Sequence, residues 1–182
     1  MKNFTRSDLL FSLCGLNCGL CSMHLSGHCP GCGGGEGNQS CRIARCSLEH
    51  KNVEYCSQCR EYPCEKYEGI DEFDSFITHR NQKKDLEKRQ SLGTERYQEE
   101  QREKIRILQF LLEHYNDGRK KTFFCLAVNL LETEDLKAVL RQTGAEEADS
   151  VRSPKEKAAH ITRLLQNAAD ERGIILKLRK RK

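Results

Sequence analysis

Ten cysteines crowd into one part of the sequence, where their thiols could together bind metal. Of the eleven cysteines in 182 residues, ten lie between Cys14 and Cys64, and only Cys125 lies outside this segment. Three pairs have the two-residue gap that lets one tight turn direct two thiolates at a single ion. These pairs are Cys18/Cys21, Cys29/Cys32 and Cys56/Cys59. The predicted metal ligands are Cys14, Cys18, Cys21, Cys29, Cys32, Cys41, Cys46, Cys56, Cys59 and Cys64.

Zinc suits these thiol donors, although ten cysteines are two more than two tetrahedral sites need. A structural zinc ion takes four ligands in a closed tetrahedral site, so eight thiolates serve two ions and two are left over. His24 and His28 could each replace a thiolate, or they could be surface polar residues. Cys41 and Cys46 are predicted to lie on a short helix capped by Ser40. Their spacing is poor for one ion unless the helix ends between them, and the helix could instead offer one ligand to each site.

The cysteine-rich segment is also short of large apolar side chains with which to build a core. Over residues 12–40 these are Leu13, Leu16, Leu20, Met23 and Leu25. Burial of so few groups does not offset the entropy of ordering the chain, whereas zinc ligation contributes directly to folding. We therefore expect metal removal to unfold residues 14–64 and to leave much of the remaining chain folded.

An iron–sulfur cluster is the alternative to zinc. The run Cys14-x3-Cys18-x2-Cys21 has the spacing of the cluster motif in radical S-adenosylmethionine enzymes. Those enzymes need a βα barrel, and no alternation of strands and helices follows here. Neither the bacterial nor the plant-type ferredoxin spacing is present. The sequence favours zinc and leaves an iron–sulfur protein open.

A thiol-based redox protein or enzyme is a further alternative. Lys66 lies close to Cys64 in the sequence and could lower the pKa of its thiol, which would make that thiol reactive. No His-Glu-x-x-His motif and no general base near the cysteines are recognisable. The sequence therefore predicts no catalytic residues, and a ligand or packing role is expected for Cys64.

Features of the N-terminal region predict a cytoplasmic location. The apolar stretch Leu9–Leu13 is interrupted by Ser12 and is shorter than the apolar region of a secretory signal. There is no apolar run of about 18 residues, so no membrane-spanning helix and no membrane partner are expected. Structural disulfides are rare in a reducing cytosol, which makes metal the better explanation for clustered thiols.

The predicted fold is mainly α, in two parts. Residues 1–70 are expected to form a small metal-stabilised cysteine-rich module with little regular structure. Residues 71–182 are expected to form an α-helical domain of four or five helices, followed by a short strand over residues 174–178 and a basic tail. Cys125 falls in the most apolar segment and is expected to be a packed small residue.

The helical patterns after residue 70 differ in strength. The first is weak and combines Phe73, Phe76, Ile77 and Leu86, and the nearly all-polar residues 81–89 are expected to form a solvated helix face or a linker. Stronger patterns follow. They are a helix from Thr94 to about Asn116, a central buried helix over residues 121–131, one from Thr133 to Gly144, and one opened by the capping box Ser153-Pro154-Lys155-Glu156 and ended by Gly173.

The cysteine pattern resembles that of the bacterial and archaeal proteins called domain of unknown function 3795. The matching segments are Cys14–Cys21 (CGLNCGLC), Cys29–Cys32 (CPGC), Cys41–Cys46 (CRIARC) and Cys56–Lys66 (CSQCREYPCEK). The stretch from Asn116 to Leu131 is also similar to longer members of the family. The resemblance implies a zinc-binding domain and implies no particular reaction.

Two basic stretches are candidate contacts for a protein or nucleic-acid partner. Residues 1–70 carry seven basic and seven acidic side chains, whereas residues 71–182 carry 24 basic and 20 acidic ones. The excess is densest in Lys177–Lys182, with Arg119–Lys121 second. Such patches can contact phosphate. A solubilising tail is the alternative, because no aromatic residues interleave with these charges in the sequence.

Overall fold

The protein is mainly helical, as the sequence predicts. The structure, a computed structural model, describes residues 3–35, 41–145 and 153–181. Within these ranges it contains seven α-helices, three short 3-10 helices and no strand. The α-helices are α1 (Ser22–Leu25), α2 (Arg42–Glu49), α3 (Gln82–Leu92), α4 (Thr94–His114), α5 (Lys121–Leu130), α6 (Thr133–Ala145) and α7 (Pro154–Glu171). The 3-10 helices are Cys18–Leu20, Cys56–Gln58 and Glu65–Tyr67. Five α-helices therefore follow residue 70, which agrees with the predicted number.

The chain divides into two compact units at a point later than composition suggests. Unit 1 comprises Met1–Gln101 together with Leu178–Lys182, and unit 2 comprises Arg102–Lys177. The division thus falls within α4 rather than after residue 70. The reason is that α3 and the first turns of α4 supply Leu86 and Tyr97 to the core of unit 1, where both are fully buried.

Unit 1 has an apolar core drawn from both sides of the predicted boundary. The buried cluster contains Phe4, Phe11, Leu13, Ile43, Ala44, Tyr55, Cys56, Tyr67, Leu86 and Tyr97. The ring of Phe11 lies 4.8 Å from that of Tyr97, measured between centroids. Aromatic rings bury large apolar areas, so a few of them make a core where aliphatic residues are scarce. The cysteine-rich segment thus shares its core with α3 and α4.

Helix α3 buries the polar face that the sequence was expected to expose to solvent. Gln82, Asp85, Leu86 and Arg89 recur at helical spacing, and all four are buried. Asp85 and Arg89 have hydrogen-bond partners, which offset part of the cost of burying them. Asp85 accepts a hydrogen bond from Asn17 at 2.7 Å, and the Arg89 guanidinium donates to Ser57 at 2.9 Å. The expectation of a solvated face or linker over residues 81–89 was therefore wrong.

Glycine allows α3 to approach the first cysteine turn closely. Gly15 has φ = 97°, and a Cβ atom at this position would lie 2.2 Å from the carbonyl oxygen of Gln82. Any other residue would suffer both the unfavourable backbone conformation and the collision. Gly15 therefore fixes the contact between the turn after Cys14 and the first residue of α3.

The weak helical pattern around Phe73 and Phe76 does not form a helix. The side chain of Asp74 instead accepts hydrogen bonds from the hydroxyl of Thr78 at 3.1 Å and the amide of His79 at 2.8 Å. Such side-chain bonds to nearby groups compete with helix formation. Residues 71–80 consequently form an irregular loop, and regular helix begins only at Gln82.

The predicted strand over residues 174–178 is also absent. The backbone bonds that the structure gives for this stretch are local, from the amide of Lys177 to the carbonyl of Ile175 at 2.9 Å and from the amide of Ile174 to the carbonyl of Ala169 at 2.8 Å. A strand needs a neighbouring strand to receive its backbone hydrogen bonds, and the described residues offer none. The chain after α7 is therefore irregular as far as it is described.

Unit 2 is built from apolar helices whose bounds agree closely with the sequence patterns. In α5 every residue from Phe124 to Leu130 is buried. Helices α6 and α7 pack against each other, with Leu136 and Ile161 almost fully buried. The capping box that opens α7 is formed as predicted, because the hydroxyl of Ser153 accepts from the amide of Glu156 and the Glu156 carboxylate accepts from the Ser153 amide.

Candidate metal centre

Four cysteines from separate parts of unit 1 line one small pocket. These are Cys46 of α2, Cys56 and Cys59 at the second 3-10 helix, and Cys64 before the third. The pocket has a volume of about 30 Å³, and its other lining residues include His50, Tyr62 and Tyr67. We call these four cysteines the Cys56 group. They include one complete two-residue-gap pair, which places two sulfurs by a single turn.

A second set of cysteines interacts around the turn at the start of the chain. Burial is the largest cause of the raised pKa values of Cys14 and Cys18, and neighbouring cysteines add to it: Cys32 and Cys41 for Cys14, and Cys32, Cys14 and Cys21 for Cys18. We call these four residues, Cys14, Cys18, Cys32 and Cys41, the Cys14 group. Helix α2 therefore has one candidate ligand in each group, Cys41 at its N-cap and Cys46 in its second turn.

Cys21 and Cys29 fall outside these two sets of four. Cys21 is the N-cap residue of the short helix α1, and its proximity contributes to the raised pKa of Cys18. Near Cys29, the Nδ1 atom of His24 lies 2.9 Å from the carbonyl oxygen of Cys29. His28 is exposed. Of the two cysteines beyond the eight that two tetrahedral sites would use, Cys21 therefore interacts with a member of the Cys14 group.

Hydrogen-bond donors face the sulfurs of the Cys14 group. The hydroxyl of Ser12 lies 3.3 Å from the sulfur of Cys14, and the backbone amide of Cys32 donates to the sulfur of Cys18. The backbone amide of Leu13 donates to the sulfur of Cys32. Donors aimed at sulfur stabilise thiolates and are a regular feature of the second shell around metal-bound cysteine.

Burial holds these thiols in the neutral form in the absence of a compensating cation. It raises the pKa of Cys14 to about 11, partly offset by the Ser12 hydroxyl, and that of Cys56 to about 12, partly offset by the Tyr67 hydroxyl. Burial is also the largest cause of the raised pKa values of Cys18, Cys32 and Cys46. A metal cation would supply the positive charge that buried thiolates require.

The cysteines suit a metal ion by the type and number of their donor atoms. Within the ranges that the structure describes, no three His, Cys, Asp or Glu side chains meet at the distances of a bound ion. The Cys56 group nevertheless surrounds a pocket, and the Tyr62 hydroxyl is buried there without a hydrogen-bond partner among the described residues. Four thiols around a small pocket suit a tetrahedral zinc ion.

Three residues of this region were not predicted as part of the site. The Nδ1 atom of His50 lies 3.8 Å from the sulfur of Cys59, and the hydroxyl of Tyr67 donates to the carbonyl of Cys14 at 3.2 Å. His50 comes four residues after Cys46, so both share one face of α2. That spacing could have identified His50. The two tyrosines, Tyr62 and Tyr67, packed edge to face at 4.9 Å between centroids, carry no comparable sequence signal.

Cys125 is separate from both groups. It lies in α5 of unit 2 and is 5% exposed. All eleven cysteines carry free thiols. Cys125 is thus a packed small residue, as its apolar surroundings predict, and it serves as a natural control for experiments on the other ten.

The two basic stretches have different environments. Residues 119–121 lie at the start of α5 in unit 2, with Lys120 at the N-cap. In the C-terminal stretch, Arg179, Lys180 and Arg181 belong to unit 1 and are exposed, and Lys182 lies outside the described residues. The predicted cap Ser40 likewise lies outside them.

Among the described residues, no helix combines the length and the apolar character needed to cross a bilayer.

Comparison with known proteins adds no family assignment. No protein-family model, no curated protein and no solved structure matches the chain. The resemblance to domain of unknown function 3795 therefore remains a prediction based on the ten-cysteine pattern.

Proposed function

We propose that the protein binds zinc through its cysteine-rich segment, that the metal is structural, and that unit 1 serves as a binding or adaptor module. The observation that carries the metal proposal is the Cys56 group, four cysteines that line one pocket, and the Cys14 group is the second set of four proposed as ligands. Each set has the number and type of donors that one structural zinc ion takes.

The role of the metal follows from how these cysteines are distributed along the chain. The Cys56 group joins α2 to segments that are ten and eighteen residues further on, with only short 3-10 helices between. An ion held there would cross-link irregular backbone, and its binding free energy would be part of the folding free energy. The same segments also contribute Ile43, Tyr55 and Tyr67 to the apolar core of unit 1.

Metal content is the first test. Protein purified without oxygen should be colourless and contain about two equivalents of zinc. Replacement of zinc by cobalt should give the strong visible absorption of a tetrahedral thiolate site. Cys59→Ser and Cys18→Ser should each lose about one equivalent, because each removes a ligand from a different group. Cys125→Ser should keep both equivalents and is the matched control.

The same measurement tests the grouping of the ligands. If Cys46→Ser and Cys59→Ser lose the same equivalent and the double variant loses no more, both residues belong to one site. Loss of both equivalents on substitution of either residue would contradict two separate sites. Full zinc content in all these variants would contradict the proposal itself.

An iron–sulfur protein is the second candidate, supported by the spacing of Cys14, Cys18 and Cys21. Cys21 is half-buried beside the Cys14 group, so a cluster on these three cysteines is compatible with their placement. A brown protein with broad visible absorption and several equivalents of iron and sulfide would replace the zinc assignment at that group.

A further inference from the structure

One surface of unit 1 brings exposed aromatic rings beside exposed basic side chains. Phe73 is 40% exposed and Phe76 is 67% exposed, both on the loop before α3. The guanidinium carbon of Arg181 lies 5.8 Å from the centre of the Phe73 ring. We call Phe73, Phe76, Arg179, Lys180 and Arg181 the aromatic–basic surface. The two phenylalanines lie more than 100 positions before the three basic residues, so the sequence gives no sign that they share a surface.

Hydrogen bonds hold the two halves of this surface together. The amide of Asp74 donates to the carbonyl of Arg179 at 2.7 Å, and the amide of Arg179 donates to the Asp74 carboxylate at 2.8 Å. The Arg179 guanidinium also donates to the backbone carbonyl of Asp71. The C-terminal segment is therefore docked on the loop, which holds the Arg181 guanidinium near the Phe73 ring.

The local charge is positive despite nearby acidic residues. Residues 71–84 and 178–181 contain six basic and three acidic side chains. The Asp74 carboxylate is fully buried, and Asp71 pairs with Lys83 at 3.0 Å. Glu72 is the exposed acid of the loop. Lys180 and Arg181 are thus exposed on the segment that is docked against the loop of Phe73 and Phe76, and the carboxylates of Asp71 and Asp74 are engaged.

We propose that the aromatic–basic surface binds single-stranded nucleic acid. Exposed rings beside exposed cations form the combination that such proteins use, since bases stack on the rings and phosphates contact the cations. Unpaired bases are required, because a duplex hides the faces that Phe73 and Phe76 would stack against. The proposal gives the adaptor role of unit 1 a partner and rests on that part of the proposed function, but it does not require zinc.

Binding is measured with the full-length protein in its purified metal state. The probe is a fluorescein-labelled oligothymidine of about sixteen nucleotides, the upper end of the site size of such surfaces, with an oligouridine of equal length beside it. Fluorescence anisotropy at several salt concentrations should show binding that weakens as salt rises. Phe76→Ala should weaken binding about fivefold or more with little change in salt dependence, because it removes stacking and no charge.

Removal of charge should have a different signature. The double variant Lys180→Ala/Arg181→Ala should weaken binding and reduce the slope of log affinity against log salt by about 1.4, the value for two phosphate contacts on a single strand. The matched control is Lys120→Ala/Lys121→Ala, which removes two charges from the other basic stretch and should leave binding unchanged. Circular dichroism and zinc content check that each variant remains folded and loaded.

Several outcomes would overturn this proposal. They are no salt-dependent binding of either oligonucleotide, equal binding by Phe76→Ala, or an equal loss in the Lys120/Lys121 control. Equal affinity for a duplex, for heparin or for phosphatidylserine vesicles would show a general polyanion or membrane contact instead. A native protein that contains no zinc but binds the oligonucleotide would contradict the metal proposal alone. The metal proposal and the nucleic-acid proposal can therefore fail separately.

Discussion

Asn17, from the cysteine-rich segment, donates its side-chain amide to the carboxylate of Asp85 in α3 at 2.7 Å, and both groups are buried. The side-chain oxygen of Asn17, Oδ1, in turn accepts a hydrogen bond from the hydroxyl of Tyr97 in α4 at 3.2 Å. A single buried amide therefore connects the position before Cys18 with two helices that follow residue 80. The first cysteine turn is fixed by the protein core as well as by any metal.

The first prediction concerns this buried network. Asp85→Ala should lower the free energy of unfolding of unit 1 by about 1–3 kcal/mol, because it leaves the Asn17 amide buried without an acceptor. Urea denaturation followed by circular dichroism measures the change. Glu87→Ala, two residues further along α3 and exposed, is the matched control and should change stability by less than about 0.5 kcal/mol. Equal effects of the two substitutions would contradict the network.

The second prediction concerns metal removal. A strong chelator should increase hydrogen exchange and protease cleavage across residues 41–64, since this segment has one short helix and otherwise relies on 3-10 helices and side-chain contacts. Helices α5, α6 and α7 should keep their protection, because their buried apolar residues lie in unit 2. Exchange that is identical with and without the chelator would contradict a structural role for the metal.

The third prediction concerns pH and Asp74. Burial opposes ionisation of this carboxyl, but hydrogen bonds from the amides of Arg179 and His79 and the hydroxyl of Thr78 outweigh it and lower the pKa. A carboxyl with a lower pKa when folded adds stability above its unfolded value of about 3.9 and loses it as pH falls through the folded pKa. Stability of the native protein should therefore fall below about pH 4 more steeply than that of Asp74→Asn.

Urea denaturation over a series of pH values tests this dependence. Glu72→Gln, exposed on the same loop, provides the control and should follow the native protein through the acid range. Parallel curves for the native protein and Asp74→Asn would show that the bonds of Asp74 do not couple to folding.

The fourth prediction concerns the core of unit 2. Phe124→Ala should cost about 3–5 kcal/mol, since the ring is fully buried in α5 and its removal leaves a cavity. Phe123→Ala, at the neighbouring partly exposed position, should cost less. Thermal unfolding of the two variants gives the comparison. A larger loss for Phe123→Ala would mean that α5 presents the opposite face to the core.

The helices could be predicted where burial and capping act together along the chain. The capping box at Ser153 and the apolar run over residues 121–131 carry local signals, and the structure agrees with both. The error at α3 has a different origin. Asp85 and Arg89 are polar, and their burial depends on the partners Asn17 and Ser57, which are distant in sequence. No local pattern reports such pairing.

The candidate site could likewise be predicted only in part. The residue types and the paired gaps predict from sequence alone that the cysteines are ligands. Their assignment to groups could not be made, because Cys46 and Cys64 are brought to one pocket by the folding of the chain between them. The aromatic–basic surface was missed for a related reason, since Phe73 and Arg181 meet only through the docking of the C-terminal segment.

Helix α2 has a consequence for how the two sets of cysteines would load. Cys41 and Cys46 are separated by about 7.5 Å along one rigid helix, at 1.5 Å per residue. An ion bound by the Cys14 group would fix the helix and so place Cys46 before the second ion arrives. The affinities of the two groups would then be linked by a coupling free energy, and by reciprocity each ion would strengthen the other. Under limiting metal, fully loaded and empty molecules should outnumber singly loaded ones.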